Sequence, residues 1–170
     1  MTTLSGEIDI KDALKLALDW HDHVPVSDLP RLAARAFEPS GEVEFHFEIL
    51  KGIDSLVKLS VKAKATIIMQ CQRCLQPMPV SIDTNTQLVP IYKEAQAKTL
   101  DPAYDPLDLT LGPVTYQDLL EDECLLALPQ VPLHDPDTCQ AKLPEPVEVP
   151  EVKKNPFMVL KGLKDDKTGK

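Results

Sequence analysis

Two cysteines three positions apart, Cys71 and Cys74, are the residues whose types and spacing suggest chemistry most directly. On a turn, this spacing places two sulfur atoms on one metal ion at tetrahedral angles, and it therefore recurs in zinc sites. One pair supplies only half of such a site. His134 and Cys139 are the other candidates near a common loop region, and with them the chain offers a set of three cysteines and one histidine. Cys124 falls inside a predicted helix, so we expect it in the core.

The sequence leaves three interpretations of the Cys71–Cys74 pair open. The first is a structural metal site, with zinc as the candidate cofactor. The second is a thioredoxin-like redox motif, which needs its first cysteine at the N-terminus of a helix, where the thiol pKa is lowered. The flanking residues favour strand and turn instead. The third interpretation is two unliganded thiols in a packed turn.

We recognise no catalytic constellation in this sequence. It lacks GxSxG, HExxH and a phosphate-binding glycine loop, and it contains only six glycines. His21 and His23 flank Asp22, but two histidines at a predicted helix end are more often surface capping groups than an acid–base pair. The acidic triplet 121–123 is predicted to be a solvated helix face. We therefore expect neither enzymatic activity nor a small-molecule substrate.

Basic side chains in the part predicted to fold are grouped on one strand and the turn that follows it. The candidate contacts to RNA or to a partner are Lys58, Lys62, Lys64 and Arg73. Aromatic residues make up only 5% of the chain, which argues against an aromatic platform for stacking bases. Any RNA contact is therefore expected to involve phosphates rather than base reading.

The net charge of −9 is unevenly distributed along the chain. Residues 94–151 carry two basic and thirteen acidic groups, for −11, whereas residues 152–170 carry six basic and two acidic groups, for +4. An acidic surface repels phosphate backbones and attracts basic partners. The alternative is that the acidic residues only keep a small protein soluble.

The length of 170 residues fits one domain, and hydrophobic residues make up 43% of it. No apolar run approaches the ~20 residues needed to span a bilayer, so we expect no membrane association. The first residues, MTTLSGEIDI, lack the basic start and apolar stretch of a secretory signal. Four cysteines without an export signal favour free thiols or metal ligands over disulfides, and a cytoplasmic location.

Hydrophobic periodicity predicts an α+β fold with an antiparallel sheet as its core. Apolar and polar residues alternate over residues 42–49 and 57–65, which is typical of half-buried strands, and the two strands are predicted over residues 42–50 and 57–69. Shorter strands are predicted at 80–83 and 87–92. The strongest helix is predicted over residues 115–128, with Leu119, Leu120, Leu126 and Ala127 on its apolar side and the acidic triplet pointing outward.

The rest of the chain is predicted to be less regular. Residues 1–41 are expected to be a helical segment packed on the domain, with short helices near residues 14–20 and 29–37 and an N-cap at Asp9 or Asp12. Residues 93–113 are expected to form a loop. Seven prolines between residues 129 and 156 predict an extended, partly flexible segment. The domain plan is thus a 1–41 segment, a 42–128 core, and a 129–170 segment with a basic tail, in one domain overall.

Three separated stretches resemble a known family. They are CQRCL at 71–75, then EDE followed by LALPQVPLHD at 121–135 with Cys139, and finally KNPF at 154–157 with Val159, Leu160, Leu163 and Lys164. In order and spacing they are similar to the bacterial large ribosomal RNA subunit accumulation protein YceD and its relatives, over about residues 40–164. Some branches of that family carry a fuller second cysteine pair where this chain has His134 and Cys139.

The resemblance implies a non-enzymatic role in synthesis, processing or stability of large-subunit ribosomal RNA, with no catalytic residue to carry over. Combined with the charge distribution, it leads us to expect that the acidic 94–151 region meets a basic ribosome-assembly protein. The lysine face or the basic tail would then touch ribosomal RNA. The alternative function is a zinc-stabilised protein-interaction module without a ribosomal role.

Overall fold

The computed structural model of the chain describes residues 4–52 and 56–141. Nearly all of them belong to one compact unit, Met1–Gln140. The KNPF stretch and the basic tail lie outside the described residues.

A five-stranded sheet forms the centre of the described structure, and its strands follow one another in sequence order. They are β1 (Asp19–Pro25), β2 (Glu42–Lys51), β3 (Val57–Gln70), β4 (Pro77–Ile91) and β5 (Asp105–Asp108). The pairs from β1 to β4 are antiparallel, whereas β5 lies parallel to β4. The α+β class is confirmed, with a sheet that is mixed rather than purely antiparallel.

One face of the sheet is the core because the apolar residues of β2 and β3 alternate in register. Phe45 lies opposite Ala63 and Phe47 opposite Val61, and all four are buried. Trp20 on β1 packs edge-on against Phe45, with ring centroids 5.1 Å apart. The predicted strands over residues 42–50 and 57–69 are therefore confirmed.

Four α-helices accompany the sheet in the described part of the chain: α1 (Ile10–Lys15), α2 (Pro30–Ala33), α3 (Glu94–Ala97) and α4 (Tyr116–Ala127). Asp9 caps α1 by accepting hydrogen bonds from the backbone N–H groups of Lys11 and Asp12. Thr115 caps α4 in the same way, accepting from the N–H of Asp118 at 3.0 Å. Helix α4 packs on the core face through buried residues that include Leu119, Leu120 and Cys124. The core placement predicted for Cys124 is confirmed.

The N-terminal prediction was wrong in one respect. Helix α1 ends at Lys15, and Trp20, His21 and His23 lie on strand β1 rather than on a helix. The reason is tertiary: β1 pairs with β2 over its whole length, and this pairing overrides a local sequence that favours a helix only weakly.

Three further predictions need correction. The strands expected at 80–83 and 87–92 are one continuous strand, β4, because the polar residues between them pair with β3. The expected loop at 93–113 contains α3 and β5. On α4, Leu126 is 81% exposed rather than apolar core, and two members of the acidic triplet, Glu121 and Glu123, are buried.

Candidate metal centre

A tight turn between β3 and β4 presents Cys71 and Cys74. The N–H of Cys71 donates to the carbonyl oxygen of Gln76 and the N–H of Leu75 donates to that of Cys71, each at 2.9 Å. Leu75 has a φ of 61°, in the left-handed region that reverses the chain sharply. Cys71 stands where strand becomes turn, not at the start of a helix, which weighs against the thioredoxin-like interpretation.

A segment from beyond α4 docks on this turn. The N–H of Gln72 donates to the carbonyl oxygen of Pro132 at 2.9 Å. The N–H of His134 approaches the sulfur atom of Cys71 at 3.4 Å. Further along, the N–H groups of Thr138 and Cys139 both donate to the carbonyl oxygen of Asp135 at 3.0 Å. These bonds fold the segment back so that His134 and Cys139 reach the turn together.

The result is a cluster of four side chains that we call the Cys3His cluster: Cys71, Cys74, His134 and Cys139. Their candidate ligand atoms all lie within 4.8 Å of one another. The sulfur of Cys74 and Nδ1 of His134 are 3.2 Å apart. Cys71 is buried and the other three are half-buried. The structure therefore unites the two halves of the predicted ligand set, and this cluster could hold a metal ion.

The local environment sets the protonation of the cluster. Burial raises the pKa of the Cys71 thiol, but hydrogen bonds from the N–H groups of Cys74, His134 and Arg73 outweigh it and lower that pKa to about 5. The hydrogen bond with Cys74 raises the pKa of His134. By contrast, burial raises the pKa of Cys124 to about 12, with smaller contributions from Glu123 and Glu121. The fourth cysteine thus stays a neutral thiol in the core.

The structure separates the four predicted contact residues into three places. Lys62 and Lys64 lie on the sheet face away from the core, opposite His46 and Glu44 of β2, and Lys64 is 3.7 Å from the carboxylate of Asp83.

Lys58 is only 9% exposed. It donates to the hydroxyl of Tyr104 at 2.6 Å, and its ammonium lies 3.9 Å from the centroid of that ring. Arg73 lies in the β3–β4 turn. Six strand residues, about 20 Å of chain, separate Lys64 from the end of β3.

The acidic triplet on α4 has a structural role that the sequence pattern did not predict. Glu121 is 1% exposed, and its Oε1 accepts hydrogen bonds from the backbone N–H groups of Arg31 at 2.7 Å and Leu32 at 3.3 Å. Glu121 thereby provides an acceptor for the first backbone N–H groups of α2, which have no partner within that helix. Asp122 forms an ion pair with the Arg31 guanidinium.

Glu123 accepts a hydrogen bond from the hydroxyl of Thr86 on β4 at 2.6 Å. A signal for its burial was present in the sequence. It follows Leu119 by four residues and Leu120 by three, which places it on the same helix face as these two buried leucines.

No helix within the described ranges is long and apolar enough to cross a membrane.

Comparisons with known proteins identify the family of this chain. The family model "Large ribosomal RNA subunit accumulation protein YceD" matches residues 59–164, a stretch that includes every residue of the Cys3His cluster and the acidic triplet. A relative of that name from Haemophilus influenzae is 30% identical over 161 residues, covering 91% of this chain and 92% of its own length. No solved structure matches the chain. Since the family model covers more than half of the sequence and the relative nearly all of it, the chain belongs to the large ribosomal RNA subunit accumulation protein YceD family.

Proposed function

We propose that this protein is a non-enzymatic accessory factor for the accumulation of large-subunit ribosomal RNA, acting in its synthesis, processing or stability. The observation that carries the proposal is membership of a family whose name refers to that accumulation, with a relative aligned over 91% of the chain. Ribosome assembly in bacteria takes place in the cytoplasm, so the proposal includes a cytoplasmic location.

The Cys74–His134 pair is the one feature of the candidate site that resembles enzyme chemistry. A thiol 3.2 Å from an imidazole nitrogen is also the arrangement of a cysteine nucleophile and its base. Here the ligand atoms of Cys71 and Cys139 lie within 4.8 Å of both groups. Two more sulfur atoms at that distance suit a ligand set better than a nucleophile that must admit a substrate. This favours a protein that acts by binding.

Two surfaces suit different partners in ribosome assembly. Lys62 and Lys64 are the basic groups of the outer sheet face, and we propose that they contact ribosomal RNA through phosphates. The exposed acidic residues of the 94–141 region are proposed to meet a basic assembly protein. They are Glu94, Asp101, Asp105, Asp108, Asp118, Asp135 and Asp137.

Depletion of the protein from its bacterial host tests the function. We expect a lower ratio of large to small ribosomal subunits in sucrose gradients, together with a changed level of precursor or mature large-subunit RNA. A normal subunit ratio together with normal large-subunit RNA would contradict the proposal.

Complementation of the depleted cells tests the RNA-contacting surface. The double variant Lys62→Ala/Lys64→Ala should restore large-subunit RNA only partly. The matched control Lys11→Ala/Lys15→Ala, which removes two exposed lysines of α1, should restore it fully. Equal rescue by both double variants would remove the RNA role of the sheet face while leaving the wider function untouched.

Affinity purification tests the acidic surface. At low salt we expect co-purification of a basic ribosome-assembly protein, released as ionic strength rises because exposed charges are screened. Recovery of no basic, ribosome-related protein would count against this partner.

A further inference from the structure

We propose that the Cys3His cluster is a closed structural zinc site that fastens residues 132–139 to the turn between β3 and β4. This inference goes beyond the proposed function, and its tests do not depend on any ribosomal role.

The donor atoms select the metal. Three sulfur atoms and one imidazole nitrogen form a soft set that suits zinc, whereas magnesium and calcium prefer oxygen ligands. No carboxylate belongs to the cluster found among the described residues. Four protein ligands fill a tetrahedral zinc site completely and leave no position for a reacting water, as is usual in structural zinc sites.

The distances are compatible with one ion at the centre. Bonds of about 2.3 Å to sulfur and 2.0 Å to nitrogen put tetrahedral ligands roughly 3.5–3.8 Å apart. In the structure the four ligand atoms lie within 4.8 Å of one another, and Cys74 Sγ and His134 Nδ1 are 3.2 Å apart. Adjustments of about 1 Å or less, within reach of side-chain rotation, therefore complete the tetrahedron.

The backbone around Cys71 is arranged for a metal-bound thiolate. The sulfur of Cys71 accepts hydrogen bonds from the backbone N–H groups of Arg73 and His134, both at 3.4 Å. One of these donors comes from each half of the site. Such outer hydrogen bonds orient ligands and offset the negative charge of three thiolates around a divalent ion. The same bonds show that the two halves of the site already meet at Cys71.

Metal analysis of the full-length protein, purified under reducing conditions, is the direct test. We expect one zinc ion per chain in the native sequence. Cys74→Ser and Cys139→Ser should each lose most of the zinc. The matched control is Cys124→Ala, which removes the one cysteine outside the cluster and should keep one zinc ion per chain, because Cys124 is buried against the core.

A second set of variants keeps the proposal testable if a serine variant fails to fold. His134→Cys replaces one zinc ligand by another and should retain one zinc ion, whereas His134→Ala should lose most of it. Cobalt substituted into the native protein and into His134→Cys should give the visible bands of tetrahedral thiolate coordination, with stronger sulfur charge transfer in His134→Cys.

Several results would overturn the proposal. One is native protein without zinc whose cluster thiols react fully with a thiol reagent. A disulfide between Cys71 and Cys74 in protein purified without reductant is another, as is iron in place of zinc. Unchanged zinc content in folded Cys74→Ser and Cys139→Ser variants would place the ion elsewhere.

Discussion

Two junctions in this protein join segments that are far apart in sequence, and they differ in what completes them. Glu121 on α4 accepts the N–H of Arg31, ninety residues away, at the start of α2. Cys74 meets His134 across sixty residues at the β3–β4 turn. The first junction is complete, because a buried carboxylate and two backbone donors satisfy each other. The second brings three sulfur atoms and an imidazole together, which is a stable arrangement when a cation holds them. The difference predicts that the first junction persists without metal and the second does not.

Of the variants considered, Glu121→Ala is expected to lower the free energy of unfolding most, because it removes the acceptor at the junction between α4 and α2. It leaves the N–H groups of Arg31 and Leu32 without their acceptor in a buried place. We expect a loss of about 2–4 kcal/mol in the free energy of unfolding, measured by urea denaturation.

The neighbouring variant Asp122→Asn is the control, since its ion pair with Arg31 is about half exposed. An exposed pair of this kind contributes under about 1 kcal/mol. Equal losses in Glu121→Ala and Asp122→Asn would mean that burial of Glu121 does not give the junction its strength.

Thr86→Val tests the other buried carboxylate of the triplet, with a smaller expected effect. The variant keeps the shape of the side chain but removes the hydroxyl that donates to Glu123 at 2.6 Å. We expect a loss of about 1–3 kcal/mol in the free energy of unfolding by the same urea assay, because the side chain of Glu123 is only 8% exposed and its carboxyl group loses this donor. A variant as stable as the native protein would show that water replaces the hydroxyl at no cost.

Glu44→Gln tests an exposed carboxylate, for comparison with the buried Glu121 and Glu123. Of the variants considered, it should change the free energy of unfolding least. A hydrogen bond from His21 lowers the pKa of Glu44 below its ordinary value. A group whose pKa is lower in the folded protein stabilises it above the unfolded pKa, and that stability is lost as pH falls through the folded pKa. The native protein should therefore lose slightly more stability than Glu44→Gln in urea titrations from about pH 5 to pH 3. Identical pH profiles would contradict the contribution of this pair.

The parts of the fold that were predicted correctly are those with strict local patterns. Strands β2 and β3 alternate apolar and polar residues over most of their length, so periodicity alone places them. Strand β1 was missed because Asp22 interrupts its apolar face between Trp20 and Val24. Strand β4 was divided in two because Thr84 and Thr86 are polar on the face toward the core, where Thr86 has Glu123 as its partner.

The same limit applies to the two junctions. Residue types and spacing alone singled out three cysteines and His134 as one candidate ligand set, because a CxxC pair restricts the possible chemistry before any fold is known. The role of Glu121 could not be predicted, since it depends on where the N-terminus of α2 comes to lie, and no pattern near residue 121 contains that information. Likewise, the sequence grouped Lys58 with Lys62 and Lys64 as a contact residue. Only the structure shows that its ammonium group contacts the ring and hydroxyl of Tyr104.

Amide hydrogen exchange before and after metal chelation compares the two junctions most directly. The N–H of Gln72 reports on the junction at the Cys3His cluster, because it donates to the carbonyl oxygen of Pro132 across that junction. The N–H of Arg31 reports on the junction at Glu121. We predict that chelation abolishes the protection of the N–H groups of Gln72, His134, Thr138 and Cys139, while those of Arg31 and Leu32 stay protected. Unchanged protection of Gln72 after complete metal removal, or simultaneous loss at both junctions, would contradict the account.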